Sequence, residues 1–154
     1  MAHATTTMTN PSRIAQRFAD LRRTGEMGLV AYLTAGDPTL AATEQFVLAM
    51  AEAGADVIEL GVPFSDPVAD GPVIQRASER ALRSGTTLAS VISLVKSLRA
   101  KTDVPLVLFS YFNPVLQMGL DKFGDAAKAA GAAPCARASS RAPSAAGEAC
   151  AAAA

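Results

Sequence analysis

One segment, residues 57–72, constrains the fold and the chemistry of this chain more than any other. It reads VIELGVPFSDPVADGP and begins as an apolar strand that carries Glu59. A loop punctuated by Gly and Pro follows and holds Asp66 and Asp70, and a helix begins at Pro72, where the missing N–H costs nothing. Because α/β folds place their chemistry at the carboxyl ends of parallel strands and on the loops that follow, this segment is the candidate site.

The rest of the chain alternates strands with helices. Strands are predicted over residues 28–34, 56–60 and 104–110, and helices over residues 12–23, 39–53, 72–83, 87–100 and 121–130. Strands that are apolar throughout and alternate with helices indicate a parallel sheet covered by helices. No GxGxxG segment follows a strand, which argues against a dinucleotide-binding sheet. We therefore expect an α/β fold of the (β/α) barrel kind, with an N-terminal helix and three βα units. In the helix over 39–53, Phe46, Val47 and Met50 are expected to face inward.

The predicted barrel part runs from residue 12 to residue 131, between two segments of different composition. Residues 1–11 are polar and are predicted to be a disordered leader. More than half of residues 132–154 are alanine, and none is Leu, Ile, Val, Met, Phe or Tyr, so this segment buries too little apolar surface to offset its ordering entropy. We expect an unstructured Ala-rich tail, with no fourth strand at residues 133–137. A flexible natural tail and a shifted reading frame both explain it, and the frameshift is favoured.

Composition excludes several classes of function. The formal net charge is zero, which gives no sign of a nucleic-acid or anionic-membrane partner. No apolar run reaches the roughly 18 residues that span a bilayer, and no signal peptide is visible, so the expected location is the cytoplasm. His3 is the only histidine, which leaves no histidine-based nucleophilic catalysis and no histidine-rich metal site. Cys135 and Cys150 both fall in the tail, and no disulfide framework is expected.

The segment Glu59–Pro72 is similar to the signature of the tryptophan synthase alpha chain family, ELGVPFSDPxADGP, with Val68 at the variable position. The likeness includes Thr34–Pro38 after the first strand and Tyr111–Pro114 after the third, and it covers roughly Ser12–Gly131. The resemblance implies part of a (β/α)8 TIM barrel of about 250 residues. It also implies a lyase of tryptophan biosynthesis, which cleaves indole-3-glycerol phosphate to indole and glyceraldehyde 3-phosphate by a retro-aldol reaction.

The resemblance further implies a partner. Indole would pass to the tryptophan synthase beta subunit of an alpha2–beta2 assembly, which joins it to serine with pyridoxal phosphate. The alpha chain itself would use no cofactor and no metal. Asp66 and Asn113 match loop positions that face the beta subunit in this family.

Cleaving the carbon–carbon bond of this substrate requires proton transfers that two separately placed carboxylates can perform. The indole ring must be protonated at C3, and the hydroxyl of the side chain must lose a proton. The resemblance assigns Glu59 to accept and donate these protons and Asp70 to stabilise positive charge at the indole N–H. Tyr32, Ile74 and Phe109 match positions that line the indole pocket.

Each of these residues also has a structural interpretation when it is taken singly. A glutamate in a strand equally often pairs with a buried arginine, and an aspartate before Gly-Pro is more often a turn or cap residue. The three pocket residues could be plain barrel core. Other aldolase chemistries fit less well: the lysines lie on or beside helices, away from a Schiff-base position, and zinc ligands are missing. Those lysines are Lys96, Lys101, Lys122 and Lys128.

Two other functions remain open from the sequence. The chain could be a truncated, non-catalytic fragment of the family, able at most to contact the beta subunit through Asp66 and Asn113. It could also be another sugar-phosphate barrel, an isomerase or an epimerase, although the missing strand-end histidine and lysine disfavour this. Because three strands cannot close a barrel, we expect the polypeptide alone to be aggregation-prone or molten and inactive.

Overall fold

A computed structural model describes residues 12–137, and these residues form one parallel sheet with helices along the chain between its strands. The strands are β1 (Val30–Thr34), β2 (Val57–Gly61), β3 (Leu106–Tyr111) and β4 (Ala133–Arg137), hydrogen-bonded in the order β1-β2-β3-β4. The helices are α1 (Arg13–Thr24), α2 (Leu40–Glu52), α3 (Pro72–Arg83), α4 (Leu88–Leu98), α5 (Phe112–Met118) and α6 (Leu120–Ala130). Within residues 12–137, no helix is both long and apolar enough to span a membrane.

Hydroxyl side chains mark where the helices begin. Ser12 accepts a hydrogen bond from the N–H of Ala15 at 3.2 Å and caps α1, which ends at Gly25 in the left-handed conformation. Thr39 caps α2 in the same way, through the N–H of Ala42. The chain thus encodes these boundaries locally, which is why their prediction from sequence was accurate to within about two residues.

The main core lies between one face of the sheet and the helices. Ile58 and Leu60 of β2 and Leu106 and Leu108 of β3 are buried there, in one cluster with residues of α2, α4 and α6. Each such side chain contributes about 1.5–3 kcal/mol through burial. Because side chains alternate along a strand, residues 57, 59 and 61 of β2 project from the opposite face, which we call the inner face.

The chain contains a fourth strand where the sequence predicted none. Ala133–Arg137 pairs in parallel with β3, from Val107 opposite Ala133 to Tyr111 opposite Arg137. The prediction was wrong because strand pairing uses backbone N–H and C=O groups, which an Ala-rich segment supplies as well as an apolar one. Pro134 is compatible with this position because β4 has only one neighbouring strand among the described residues. The barrel part therefore extends at least to residue 137, and the predicted leader (1–11) and the rest of the predicted tail (138–154) lie outside the described residues.

Two further expectations need correction. The segment after the third strand is not a loop: β3 runs to Tyr111, and Phe112 begins α5 directly. In α2, the buried positions are Thr43 and Val47, one helical turn apart, whereas Phe46 is 46% exposed. Successive helix residues are rotated by about 100°, so Phe46 lies at the side of the stripe centred between Thr43 and Val47, where it is exposed.

Candidate active site

Glu59 lies at the centre of β2 and projects from the inner face. It is in register with Tyr32 of β1 and Val107 of β3, and its neighbours Ile58 and Leu60 point to the helices. The side chain is partly buried. Among the side chains that the structure describes, no arginine or lysine forms an ion pair with Glu59. Among the described side chains, the interpretation of Glu59 as the partner of a buried arginine therefore finds no support.

Asp70 lies in the loop between β2 and α3, and Tyr111 holds its carboxylate. The Tyr111 hydroxyl donates to Oδ2 of Asp70 at 3.0 Å and accepts from the N–H of Ala69 at 3.1 Å. Tyr111 is only 8% exposed, and its ring packs on that of Phe64 with 5.1 Å between centroids. The end of β3 thus fixes the loop that follows β2.

Asp70 does not act as the cap of its own helix. The N-cap of α3 is Gly71, which makes no side-chain hydrogen bond, and Pro72 occupies the first turn. Gln75 contacts this part of the loop through the backbone, because its Nε2 donates to the carbonyl oxygen of Asp70 at 2.8 Å. Asp70 is therefore not the helix cap, but it does close a turn, because its N–H donates to the carbonyl oxygen of Pro67 at 3.0 Å, while its carboxylate accepts from Tyr111.

Tyr111 is the functional residue that sequence reasoning missed. The motif containing it was interpreted as a loop that follows the third strand. The signal that could have found it is the alternation along β3, because Val107, Phe109 and Tyr111 share the inner face with Glu59. Tyr111 is the last of these inner-face residues of β3, and its side chain reaches the loop that follows the neighbouring strand β2.

Tyr32 and Phe109 come together on the inner face, as expected for two residues that line one pocket. Their rings meet edge to face, with 6.2 Å between centroids and an angle of 90°. Burial, with additional contributions from the carboxylates of Asp70 and Glu59, raises the pKa of Tyr32 above its usual value of 10.0, and Thr34 acts in the opposite direction. The Tyr32 hydroxyl therefore remains protonated at neutral pH, in an environment that it shares with both candidate acids.

The other predicted residues lie on the loop and helices that follow β2 and β3. Ile74 is partly buried in the first turn of α3. Asp66 is exposed in the β2–α3 loop, where it accepts a hydrogen bond from the Ser65 hydroxyl at 2.9 Å. Asn113 is exposed in the first turn of α5. Asp66 and Asn113 are thus accessible, as partner contacts must be, and their role stays a prediction.

The loop between β1 and α2 is braced against α3. Arg80 donates two hydrogen bonds to the carboxylate of Asp37, at 2.8 and 2.7 Å, and these bonds lower the pKa of Asp37. Gly36 has φ of +90°, and a Cβ there would lie 1.9 Å from the Thr86 hydroxyl oxygen, so only glycine fits. Within residues 12–137, no group of three or more His, Cys, Asp or Glu side chains is arranged to hold a metal ion.

This chain is similar to one family of known proteins. The family model described as "Tryptophan synthase alpha chain" matches residues 18–135. The tryptophan synthase alpha chain of Citrifermentans bemidjiense is 60% identical over 119 residues, which are 77% of this chain and 45% of the relative. The chain therefore spans about half the length of the curated relatives it matches.

Solved structures give the same result. The tryptophan synthase subunit alpha of Legionella pneumophila aligns with a TM-score of 0.78 and 41% identity, over 80% of this chain and 47% of that one. A structure of Mycobacterium tuberculosis tryptophan synthase aligns with a TM-score of 0.79 and 35% identity, over 87% of this chain and 51% of that one. The predicted fold class, part of a TIM barrel, is confirmed by these neighbours.

Proposed function

The chain belongs to the tryptophan synthase alpha chain family, and from that membership we propose that it supplies the carboxylates for the retro-aldol cleavage of indole-3-glycerol phosphate. The products are indole and glyceraldehyde 3-phosphate. The observation that carries the proposal is the placement of two acids on one strand–loop unit. Glu59 projects from the inner face of β2 with no ion pair to a described side chain, and the Tyr111 hydroxyl on the adjacent strand donates to Asp70.

The two acids have different surroundings, which suits different roles. Glu59 is a partly buried side chain in a strand and accepts no hydrogen bond from the described residues, so it is free to take a proton and return it. In the proposed reaction it moves the proton between the hydroxyl of the substrate side chain and C3 of the indole ring. Asp70 accepts a hydrogen bond from the Tyr111 hydroxyl, which orients its carboxylate and suits an acceptor for the indole N–H.

Tyr32 and Phe109 form the apolar wall against which the indole ring packs in this proposal, with Ile74 completing it from α3. Because the two rings meet edge to face, they present one ring edge and one flat ring surface on the inner face of the sheet. Such aromatic surfaces suit a flat bicyclic ligand. No cofactor takes part, and the reaction uses acid–base chemistry alone. Pyridoxal phosphate belongs to the beta subunit, which receives the indole and which contacts this chain through Asp66 and Asn113.

We further propose that the 154-residue polypeptide by itself does not catalyse this reaction. Among the described residues, β1 and β4 each have only one neighbouring strand, so the sheet is not closed. Phosphate groups in such barrels are held by loops after strands seven and eight, and the described residues contain four strands. Because the family acts in amino-acid biosynthesis, the cytoplasm is the proposed location.

The test is a chimera in which residues 12–131 of this chain replace the matched segment of the Citrifermentans bemidjiense relative. We expect the purified chimera to release indole from indole-3-glycerol phosphate, and the rate to increase when a beta subunit is added. The unmodified relative is the positive control, and the 154-residue chain is expected to release none. A folded chimera that releases no indole, beside an active relative, would contradict the proposal.

A further inference from the structure

The hydroxyl of Tyr32 lies closer to the carboxyl edge of the sheet than the backbone of Tyr32 does, by one inner-face position. Tyr32 is in register with Glu59, but its hydroxyl lies over Gly61, because a Cβ built on Gly61 would be 2.1 Å from that oxygen. Residues 59 and 61 are successive positions on the same face, about 7 Å apart along the strand. The ring of Tyr32 therefore leans toward the carboxyl edge of the sheet.

Two neighbours keep the ring in this position. Gly61 provides the space, and its register partner Phe109 meets the ring of Tyr32 edge to face. Gly61 lies within a regular strand, so the role of this glycine is the space that its missing side chain leaves. Any larger residue at position 61 would displace Tyr32.

This placement brings the Tyr32 hydroxyl within electrostatic range of both candidate acids. Along the inner face, the level of Glu59 comes first, the level of Gly61 and Phe109 comes next, and the level of Tyr111, which holds Asp70, comes last. Both carboxylates contribute to the raised pKa of Tyr32. The Tyr32 side chain is 37% exposed, so a ligand on the inner face can reach it.

We propose that the Tyr32 hydroxyl donates a hydrogen bond to a hydroxyl oxygen on the polyol arm of the substrate. Ionised carboxylates only accept hydrogen bonds, whereas the oxygens of a polyol arm also need donors. On the inner face, the ionised Glu59 and Asp70 only accept, Val107 and Phe109 have no donor, and Thr34, which also carries a hydroxyl, is only 6% exposed. Tyr32 thereby selects a heterocycle with a hydroxylated arm. This specificity rests on the proposed function. The placement of the Tyr32 hydroxyl over Gly61 does not depend on that function.

The placement is tested by titration of Tyr32 in the chimera. Tyr32 and Tyr111 are the only tyrosines of this chain, and their ¹³Cζ-tyrosine NMR signals in the chimera are assigned by their loss in Tyr32→Phe and in Tyr111→Phe. We expect a pKa for Tyr32 above 10.0 that falls in Asp70→Asn, in Glu59→Gln and in Gly61→Ala, the last by displacing the ring. Asp66→Asn, in the same loop as Asp70, is the control and should leave it unchanged. A Tyr32 that titrates at its usual value overturns the placement, whether or not any enzymatic activity is found.

The specificity is tested by binding in the chimera with Glu59→Gln, which prevents turnover. We expect Tyr32→Phe to raise the Kd for indole-3-glycerol phosphate by about threefold to tenfold, as for the loss of one neutral hydrogen bond. The Kd for the phosphate ester of indole-3-propanol, which lacks the arm hydroxyls, should not change. Equal weakening of both ligands, or no weakening of either, overturns the proposal. If the parent chimera releases no indole but the Glu59→Gln chimera still shows this difference between the two ligands, only the proposed function is contradicted.

Discussion

The hydroxyl of Tyr111 donates a hydrogen bond to Oδ2 of Asp70 at 3.0 Å, across 41 positions of sequence. It joins the end of β3 to the loop that follows β2. The same hydroxyl accepts from the N–H of Ala69, and the ring packs on Phe64, so three contacts hold the loop at this point. The position of the Asp70 carboxylate is therefore a property of the sheet and not of the loop alone.

Replacing Tyr111 by phenylalanine should reduce catalysis while it preserves the fold. The ring contact with Phe64 remains, but Asp70 loses the hydrogen bond from the Tyr111 hydroxyl, and a hydrogen bond to a charged group is worth about 1.5–3 kcal/mol. If most of this loss is in the transition state, kcat of the chimera falls by about tenfold to a hundredfold. Indole release measures it. Val68→Ala, in the same loop and 79% exposed, is the matched control and should keep full kcat. A Tyr111→Phe chimera with undiminished kcat would show that Asp70 needs no support.

Adding one methyl group at Gly61 should destabilise the chimera. An alanine Cβ would lie 2.1 Å from the Tyr32 hydroxyl oxygen and 2.6 Å from Cζ of the ring, and overpacking of this kind costs about 1–3 kcal/mol. Urea unfolding of Gly61→Ala measures the cost.

A double-mutant cycle then identifies the cause of that cost. Tyr32→Leu shortens the opposing side chain, so it should recover most of the stability lost by Gly61→Ala. Gly124→Ala in α6 is the matched control, since nothing lies within 4 Å of a Cβ there, and helix propensity should make it neutral or slightly stabilising. Additive effects at residues 32 and 61 would mean that the two side chains do not touch.

Asp56 should make stability depend on acidity. Its carboxylate accepts from the N–H of Leu29 at 2.6 Å and from Nε of Arg17 at 2.6 Å, and these contacts lower the pKa of Asp56 below its usual 3.8. A lowered pKa in the folded state contributes stability that is present above about pH 4 and is lost as the pH falls through the folded value. The urea midpoint of the chimera with Asp56→Asn should thus lie below that of the parent chimera at pH 7, and the gap should close in acid.

The control for this prediction is Asp20→Asn. Asp20 forms only an exposed pair with Arg23 on α1, and such pairs contribute little. The urea midpoint of the chimera with Asp20→Asn should equal that of the parent chimera at every pH. A gap for Asp56→Asn that stays constant from pH 7 to strongly acidic conditions would rule out the ionised carboxylate as its source.

Much of the fold could be predicted because its signals are local. Ser12 and Thr39 mark helix starts, Gly25 and Gly131 mark helix ends, and apolar runs mark β1 to β3. The strand at Ala133–Arg137 could not be predicted, because its pairing depends on the free edge of β3 and not on its own side chains. Helix α5 was missed because a motif that resembles a family loop was interpreted as one.

The residues of the candidate site could be predicted from the sequence, but the contacts between them could not. Glu59 and Asp70 could be identified within one segment. The hydrogen bond from Tyr111 to Asp70 and the position of the Tyr32 hydroxyl over Gly61 each involve residues of different strands and loops, which the sequence does not bring together. Alternation along β3 places Tyr111 on the correct face, but only the register of the sheet brings it to the loop after β2. The roles of Asp66 and Asn113 at a partner interface stay predictions.

The most direct measurement is indole release by the chimera with Glu59→Gln and, separately, with Asp70→Asn. If these two carboxylates move and stabilise the protons of the cleavage, each variant should lose at least about a hundredfold in kcat while it still binds indole-3-glycerol phosphate. Val68→Ala, prepared in parallel, should remain fully active. A folded Glu59→Gln chimera that releases indole at the parent rate would contradict the assignment on which the account depends.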